Sequence, residues 1–147
     1  MSRDLLTLFW DLGLGTNGTL NVDVGNFDVG AGSDTVIGVG YRHEIGRKAE
    51  VGSKSVRLAP FGMFHRFTDL AVSQIDLGFG GSYPIEQQFN VFGGAVFRYT
   101  DATGGSDTRL GVLLGGDFRP VENWIVGAEL HLGFEKDTFG LYTGLRF

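Results

Sequence analysis

The sequence predicts an all-β, antiparallel fold, and three observations lead to it. Large apolar residues recur at every second position over most of the chain, no stretch of comparable length shows a helical period, and turn-forming residues separate the alternating segments. The 147 residues include 25 glycines and 13 phenylalanines but no cysteine. This length and composition predict one folded domain over residues 1–147, without disulfides.

The first half of the chain contains four alternating segments. In the first, apolar residues occupy every second position from Leu6 to Leu14. In the second, the phase changes at Gly25-Asn26, which predicts a β-bulge. In the fourth, Pro60 interrupts the pattern, so this strand is the least regular of the four. The predicted strands are 6–14, 20–29, 36–45 and 55–67.

The second half adds five clearer segments, at 74–80, 89–99, 109–117, 124–133 and 139–147. Short connections rich in Gly, Asn, Asp, Thr and Pro join them, so successive strands should be antiparallel neighbours. Bacterial single-chain barrels normally have an even number of strands. From nine segments we therefore expect eight or ten barrel strands. Either two segments merge, the first segment is not a full barrel strand, or a strand is missing from this sequence.

The two faces of the strands differ in a way that favours a membrane. One face is continuously apolar, and the other carries glycines and isolated charges. Lysine, which normally covers water-facing strands, lies only in or beside connections, at Lys48, Lys54 and Lys136. This pattern predicts an antiparallel up-and-down transmembrane β-barrel of eight to ten strands with its apolar face toward lipid. A soluble β-barrel or sandwich that binds an apolar ligand is the alternative.

Aromatic residues near the strand ends predict two girdles at the membrane interfaces. One girdle is predicted at the strand ends remote from the short 83–88 and 119–123 connections, and it includes Phe67, Tyr99, Phe134 and Phe139. No run of about twenty apolar residues occurs, so no membrane helix is predicted. The principal girdle candidates are Trp10, Tyr83, Phe89, Tyr99, Phe118 and Trp124.

The last strand carries a resemblance to known proteins. Phe147 ends the chain, and Leu145, Leu141 and Phe139 precede it at alternate positions, interrupted by Thr143. This strand resembles the terminal strand of Gram-negative outer-membrane barrels, although Tyr142 stands where that signal usually has glycine.

Over most of the chain, the paired glycine-rich strands, with Asp117-Phe118-Arg119-Pro120 entering a tight turn, resemble the YfaZ-like barrels. The resemblance to outer-membrane barrels implies a bacterial outer-membrane location, with lipid and lipopolysaccharide around the protein. It also implies assembly by the barrel-assembly machinery. We expect a mature form whose signal peptide is absent from this chain, and a monomer.

The charges indicate what the interior holds. A net charge of −5 without a Lys/Arg cluster argues against nucleic-acid binding. With the polar face inward, we expect the charges to neutralise one another, with Arg98, Arg109 and Glu129 central. A selective pore or binding site is the alternative, and inward glycines either allow tight curvature or leave a narrow water path. The expected network is Arg42, Glu44, Asp76, Arg98, Arg109, Asp117, Glu129 and His131.

The predicted function is therefore a structural barrel or a narrow passive pore, and not an enzyme. His65, Asp69 and Ser73 offer the residue types of a hydrolase triad, which keeps an outer-membrane lipid hydrolase as an alternative, but nothing in their spacing requires it. The three histidines lie on separate segments without ligand spacing, so we expect neither a metal nor a cofactor.

Overall fold

The computed structural model describes residues 3–28, 32–51, 54–134 and 137–147, with side chains for 5–27, 32–45, 55–134 and 137–147. No helix long and apolar enough to cross a membrane occurs among these residues. The described chain forms ten strands: β1 (Arg3–Leu14), β2 (Gly18–Asp28), β3 (Ser33–His43), β4 (Ile45–Val51), β5 (Lys54–Phe67), β6 (Val72–Pro84), β7 (Phe89–Ala102), β8 (Gly105–Val121), β9 (Trp124–Leu132) and β10 (Thr138–Arg146).

Nine of these strands close into a barrel. The hydrogen-bonded order is β3-β2-β1-β10-β9-β8-β7-β6-β5, and the β3–β5 pairing completes the ring. β4 stands outside the ring because it pairs with the first residues of β5, beyond the β3–β5 pairing. The predicted all-β barrel is confirmed, and each of the nine predicted segments corresponds to a barrel strand. β4 was not predicted.

The expected even number of barrel strands is wrong. In an up-and-down barrel with an odd number of strands, the first and last strands run in the same direction and must pair in parallel. β1 and β10 do so, with Arg3 opposite Thr138 and Asp11 opposite Arg146. At this seam the Phe147 N–H donates to the Asp11 carbonyl at 2.9 Å, and the Gly13 N–H donates to the Phe147 carbonyl at 2.9 Å.

The predicted bulge at Gly25-Asn26 is also wrong. β2 pairs with both neighbours without interruption through these residues, and Phe27 lies on the inner face with Asp23. The apparent change of phase reflects an apolar residue inside the barrel. Register shifts occur instead between Ile45 and Ala49, and between Phe118 and Val121 beside Pro120.

Pro60 is accommodated where β5 changes partners. The β4 pairing ends at Leu58 and the β3 pairing begins at Phe61, so on that side Pro60 has no paired residue in the described ladder. A proline lacks the N–H that a continuous ladder needs. The strand predicted over 55–67 is therefore confirmed despite its proline.

The burial pattern separates the two faces of the wall. β3 alternates between exposed and buried residues along most of its length. The buried side chains include both apolar residues and carboxylates, all on the inner face. They are Phe9, Phe27, Val36, Ala59, Val96 and Ile125, together with Asp11, Asp23, Asp34, Asp76 and Asp117.

The barrel has two ends, named here by the chain. The C-terminal end carries Phe147 and the connections 15–17, 85–88 and 122–123. The opposite end carries the connections 68–71 and 103–104, together with Gly133 and Phe134 after β9.

Candidate functional site: the barrel interior

The barrel encloses a cavity of about 490 Å³. Inward side chains from all nine barrel strands line it, because the period of two along each strand places alternate residues on the inner face. The lining combines aromatic rings with charged groups. Most of these charged groups form two clusters, one toward the end of the barrel remote from the C-terminus and one toward the C-terminal end. Asp23 and His65 form a separate pair.

The first cluster is a chain of four side chains, Asp76, Arg98, His131 and Glu129. Arg98 donates two hydrogen bonds to Asp76, from Nε to Oδ1 and from Nη2 to Oδ2, each 2.8 Å long. Arg98 Nη2 also lies 3.0 Å from His131 Nδ1, and His131 Nε2 lies 2.9 Å from Glu129 Oε1. A guanidinium can only donate, so His131 Nδ1 accepts and its Nε2 carries the proton toward Glu129.

Two further contacts hold this cluster in place. Gln74 donates to Asp76 Oδ2 at 3.0 Å, and the Phe134 ring lies 4.0 Å from the Arg98 guanidinium carbon. The side chains of Arg98 and Asp76 are only 13% and 6% exposed. A buried pair with bidentate geometry and satisfied lone pairs is the arrangement in which charges are tolerated inside a protein.

The second cluster lies toward the C-terminal end and crosses the seam. Arg146 on β10 donates to Asp11 on β1, with Nη2 at 2.9 Å from Oδ2, and Asn21 donates to Asp11 Oδ1 at 2.8 Å. Asp117 accepts a hydrogen bond from Asn90 at 3.1 Å. The seam is therefore joined inside the barrel by an ion pair as well as by the backbone.

Arg42 is different from the other arginines of this cluster. Arg119 Nε lies 3.7 Å from Asp117 Oδ1, and Arg57 lies 3.9 Å from Glu44. For Arg42, no ion pair within 4.0 Å occurs among the described residues. Its Nε, like that of Arg119, is buried without a hydrogen-bond partner. Arg42 lines the cavity with Arg119 and Arg146.

Aromatic rings narrow the interior between the two clusters. Phe9 and Tyr142 meet edge to face with centroids 5.6 Å apart, and Phe92 lies 6.4 Å from the Tyr142 ring. Phe92 is on β7 and Tyr142 on β10, three strands apart in the ring order. This group, called the aromatic bridge below, spans part of the barrel's cross-section.

Several inward glycines lie beneath these rings. Gly127 is the cross-strand partner of Tyr142, and Gly115 is the partner of Phe92. A Cβ on either glycine would collide with the partner's ring. The same relation joins Gly144 to Phe9. These glycines make room for rings that pack against the barrel wall.

The predicted charge network is distributed as follows. The structure brings Asp76, Arg98, Glu129 and His131 into one cluster, and places Arg42, Glu44 and Asp117 in the cavity lining toward the C-terminal end. Arg109 lies outside the cavity lining, on the part of β8 beyond its pairing with β9. Its side chain is 46% exposed and forms an ion pair with Asp107 at 2.6 Å.

Sequence reasoning did not single out the neutral partners of these charges. Asn21, Gln74 and Asn90 all hydrogen-bond the inward carboxylates. Their position on the inner face follows from strand alternation and was available as a signal. Alternation places Tyr142 on the polar face of β10, but its contacts with Phe9 and Phe92 depend on strands far away in the sequence and were not predicted.

The predicted girdle residues lie mainly on the outer surface. Trp10, Phe89, Tyr99, Phe118 and Trp124 are exposed, whereas Tyr83 is half-buried. Two of the additional girdle assignments are wrong. Phe67 lines the cavity and meets the Phe27 ring, and Phe134 packs on Arg98.

On the terminal strand, the predicted assembly-signal residues share the outer face. Phe139, Leu141, Leu145 and Phe147 are all exposed. Thr143 lies among them, but its hydroxyl does not remain unpaired. It accepts a hydrogen bond from the Trp124 indole at 2.7 Å and donates to the Ile125 carbonyl at 3.0 Å.

The suggested triad does not assemble. His65 lines the cavity, and its Nε2 lies 3.5 Å from Asp23 Oδ2. Ser73 lies on the outer face, where its Oγ accepts a hydrogen bond from Arg66 at 2.6 Å. His65 and Ser73 therefore lie on opposite faces of the wall. Among the described residues, no group of three or more His, Asp or Glu side chains can hold a metal ion.

No family model, curated protein or solved structure matched this chain.

Proposed function

We propose that this protein is a small membrane-spanning β-barrel of the bacterial outer membrane that acts as a narrow passive pore. The observation that carries the proposal is the inverted distribution of its side chains. Large apolar residues cover the outer surface, including Leu6, Leu77 and Leu110 at 60%, 55% and 72% exposure, while five aspartates are buried inside.

Water is a poor solvent for this surface. Leaving one large aliphatic or aromatic side chain exposed to water forgoes about 1.5–3 kcal/mol relative to burial. The outer face repeats this exposure on every barrel strand, whereas a soluble monomer rarely exposes contiguous apolar patches larger than a few hundred Å². A lipid environment removes the cost, and a closed barrel satisfies the backbone there.

The Trp124–Thr143 pair supports the same environment. A hydroxyl or an indole N–H facing hydrocarbon is costly when it has no hydrogen-bond partner. Thr143 bonds both the Trp124 indole and a backbone carbonyl, so neither polar group needs water. The interruption of the apolar series on the terminal strand is thus compatible with lipid.

The chain's two tryptophans allow a direct test of membrane insertion. Trp10 and Trp124 both pair with Leu145, from opposite sides, near the C-terminal end of the barrel. We expect their fluorescence to be quenched in vesicles of brominated phosphatidylcholine. Quenching should be stronger with bromines near the headgroup than with bromines near the chain ends, because interfacial tryptophans lie at a shallow depth.

The single-tryptophan variants Trp10→Phe and Trp124→Phe report the two positions separately, and urea-unfolded protein mixed with the same vesicles is the control. A protein that stays unquenched, remains soluble without detergent and shows no mobility difference between cold and boiled electrophoresis samples would contradict the proposal. That result would favour a soluble β-barrel.

The second candidate function is a closed, purely structural barrel, and the aromatic bridge is the observation that favours it. Single-channel recording in planar bilayers separates the two functions, since only a pore gives discrete current steps.

The proposal also includes insertion by the barrel-assembly machinery, a monomeric state, and lipid with lipopolysaccharide as neighbours. No catalytic step is part of it.

A further inference from the structure

Arg42 offers the barrel interior an unused cationic group. Its Nε is buried and has no hydrogen-bond partner among the described residues, whereas Arg98 and Arg146 are each bonded to a carboxylate within the barrel. Arg119 Nε also has no hydrogen bond, but it lies 3.7 Å from Asp117 Oδ1, and for Arg42 the described residues show no such ion pair. A buried donor without a partner has lost its hydrogen bonds to water without replacing them. A ligand that supplies an acceptor to Arg42 replaces such a hydrogen bond on binding.

The charged groups around Arg42 balance without giving it a direct partner. The cluster at the C-terminal end contains four arginines and, with Glu86 of the exposed 85–88 connection, four carboxylates. They are Arg42, Arg57, Arg119 and Arg146, with Asp11, Glu44, Glu86 and Asp117, and all line the cavity. Arg57, Arg119 and Arg146 each lie within 4.0 Å of one of these carboxylates, so among the described residues Arg42 is the arginine of this cluster whose guanidinium is left for the carboxylate of a ligand.

The wall beside Arg42 favours an apolar ligand body. Arg42 is the cross-strand partner of Phe61, and the neighbouring inward residue on β5 is Met63. Both line the cavity together with Phe9 and Phe92. Aromatic and thioether walls beside placed polar groups are the usual form of a small-molecule site.

We propose that the cavity binds a small amphipathic monocarboxylate, with the carboxylate on Arg42 and the apolar body against Phe61 and Met63. The guanidinium fork matches the geometry of a carboxylate and can donate two parallel hydrogen bonds to it. The proposal rests on the interior geometry alone. It does not depend on whether the barrel conducts ions or is embedded in lipid.

The test uses benzoate and benzamide, which have the same ring and similar size but differ in charge. Isothermal titration of the detergent-folded protein should show saturable binding of benzoate, with benzamide at least about tenfold weaker. Acetate, which carries the charge without the ring, should also bind more weakly than benzoate. Equal binding of benzamide, or equal binding of acetate, would overturn the proposal.

Variants locate the site. Arg42→Gln should weaken benzoate binding about tenfold or more, and Arg42→Lys should fall between it and the native protein, because lysine keeps the charge but loses the fork. Arg109→Gln is the matched control, since Arg109 lies outside the cavity lining. Folding of each variant is checked by its cold-versus-boiled mobility shift.

If Arg42→Gln does not fold, Arg42→Lys and Phe61→Leu still test the proposal. Phe61→Leu should weaken benzoate more than acetate, because only benzoate has an apolar body to contact the ring. Unchanged benzoate affinity in the folded Arg42 variants would refute the site. Tryptophan quenching by lipid is measured separately, so failure of this site and failure of the membrane proposal give different results.

Discussion

At the scale of single residues, the Asp76–Arg98 pair shows what burial demands of charge. Both side chains are almost inaccessible, and two 2.8 Å hydrogen bonds join them. Asp76→Ala would leave the Arg98 guanidinium buried without its carboxylate. We expect the free energy of unfolding in detergent to fall by about 3–5 kcal/mol, measured by urea titration of tryptophan fluorescence.

A double-mutant cycle separates the pair from its surroundings. Asp76→Ala combined with Arg98→Met should cost less than the sum of the single changes, because neither charge is then left alone. Arg109→Met, which breaks the half-exposed pair with Asp107, is the control and should cost at most about 1 kcal/mol. Strict additivity of the Asp76 and Arg98 changes would contradict the interpretation.

Asp34 leads to a second prediction at the scale of single residues, which concerns the stability of the fold in acid. Burial raises the pKa of its carboxyl group, but hydrogen bonds from the Asp69 and Leu70 amides and the Thr68 hydroxyl lower it by more, below the ordinary 3.8. These contacts lie at the mouth of the barrel, beside the 68–71 turn. These donors stabilise the ionised carboxylate of Asp34 more than its protonated form.

The sign of the pH dependence follows. Because the folded state lowers the pKa, Asp34 stabilises the fold fully above its ordinary pKa, and this contribution is lost as pH falls through the lower pKa of the folded state. Asp34→Asn should therefore be less stable at neutral pH and lose less stability on acidification below about pH 4. The folded band in cold electrophoresis, followed against pH, checks this. Parallel curves for the two proteins would contradict it.

At the scale of strands, the pairing of glycines with rings has a direct consequence. A Cβ at Gly127 would meet the Tyr142 ring across the β9–β10 pairing. We expect Gly127→Ala to destabilise the barrel by about 1–3 kcal/mol through overpacking, measured by urea unfolding. Adding Tyr142→Leu should recover part of this loss.

Gly62→Ala is the matched strand control. Its nearest neighbour would be the end of the Leu77 side chain at 3.3 Å, a flexible group on the outer face. Its effect should be small. A Gly127→Ala protein as stable as Gly62→Ala would show that the ring can move away without cost, and that the glycine is not required by packing.

Strand alternation predicted the elements well because a wall with two different faces imposes a strict period of two. It was less successful where an apolar residue lies inside. The sequence pattern predicts a bulge just before Phe27 and a girdle position for Phe67, although both side chains line the cavity. Periodicity identifies which residues share a face. Because the interior holds aromatic rings as well as charges, hydrophobicity alone does not show whether an apolar residue points inward or outward.

The candidate site was predictable in composition but not in pairing. The inward position of Arg98, Glu129 and His131 follows from alternation along two strands. Which groups bond depends on how far the strands are offset around the ring, and β8 runs beyond β9 at one end. This offset places Arg109 beyond the β8–β9 pairing, where it pairs with Asp107.

At the scale of the whole molecule, the odd number of strands and the interior are connected. The parallel seam places Tyr142 and Arg146 of β10 beside Phe9 and Asp11 of β1. The seam therefore contributes both to the C-terminal charge cluster and to the aromatic bridge. A defect in the closure of the barrel would be expected to disturb both.

The aromatic bridge spans part of the barrel's cross-section, and this position leads to the last prediction. If the barrel is a pore, Tyr142→Ala should raise single-channel conductance about twofold or more, because removing the ring widens the constriction through which ions pass. Tyr99→Ala, on the exposed outer face, should leave conductance unchanged. Planar-bilayer recordings of the three proteins decide the matter. Steps that are identical in Tyr142→Ala and the native protein would place the limiting constriction elsewhere. The absence of steps in the native protein, followed by their appearance in Tyr142→Ala, would identify the bridge as the element that closes a structural barrel.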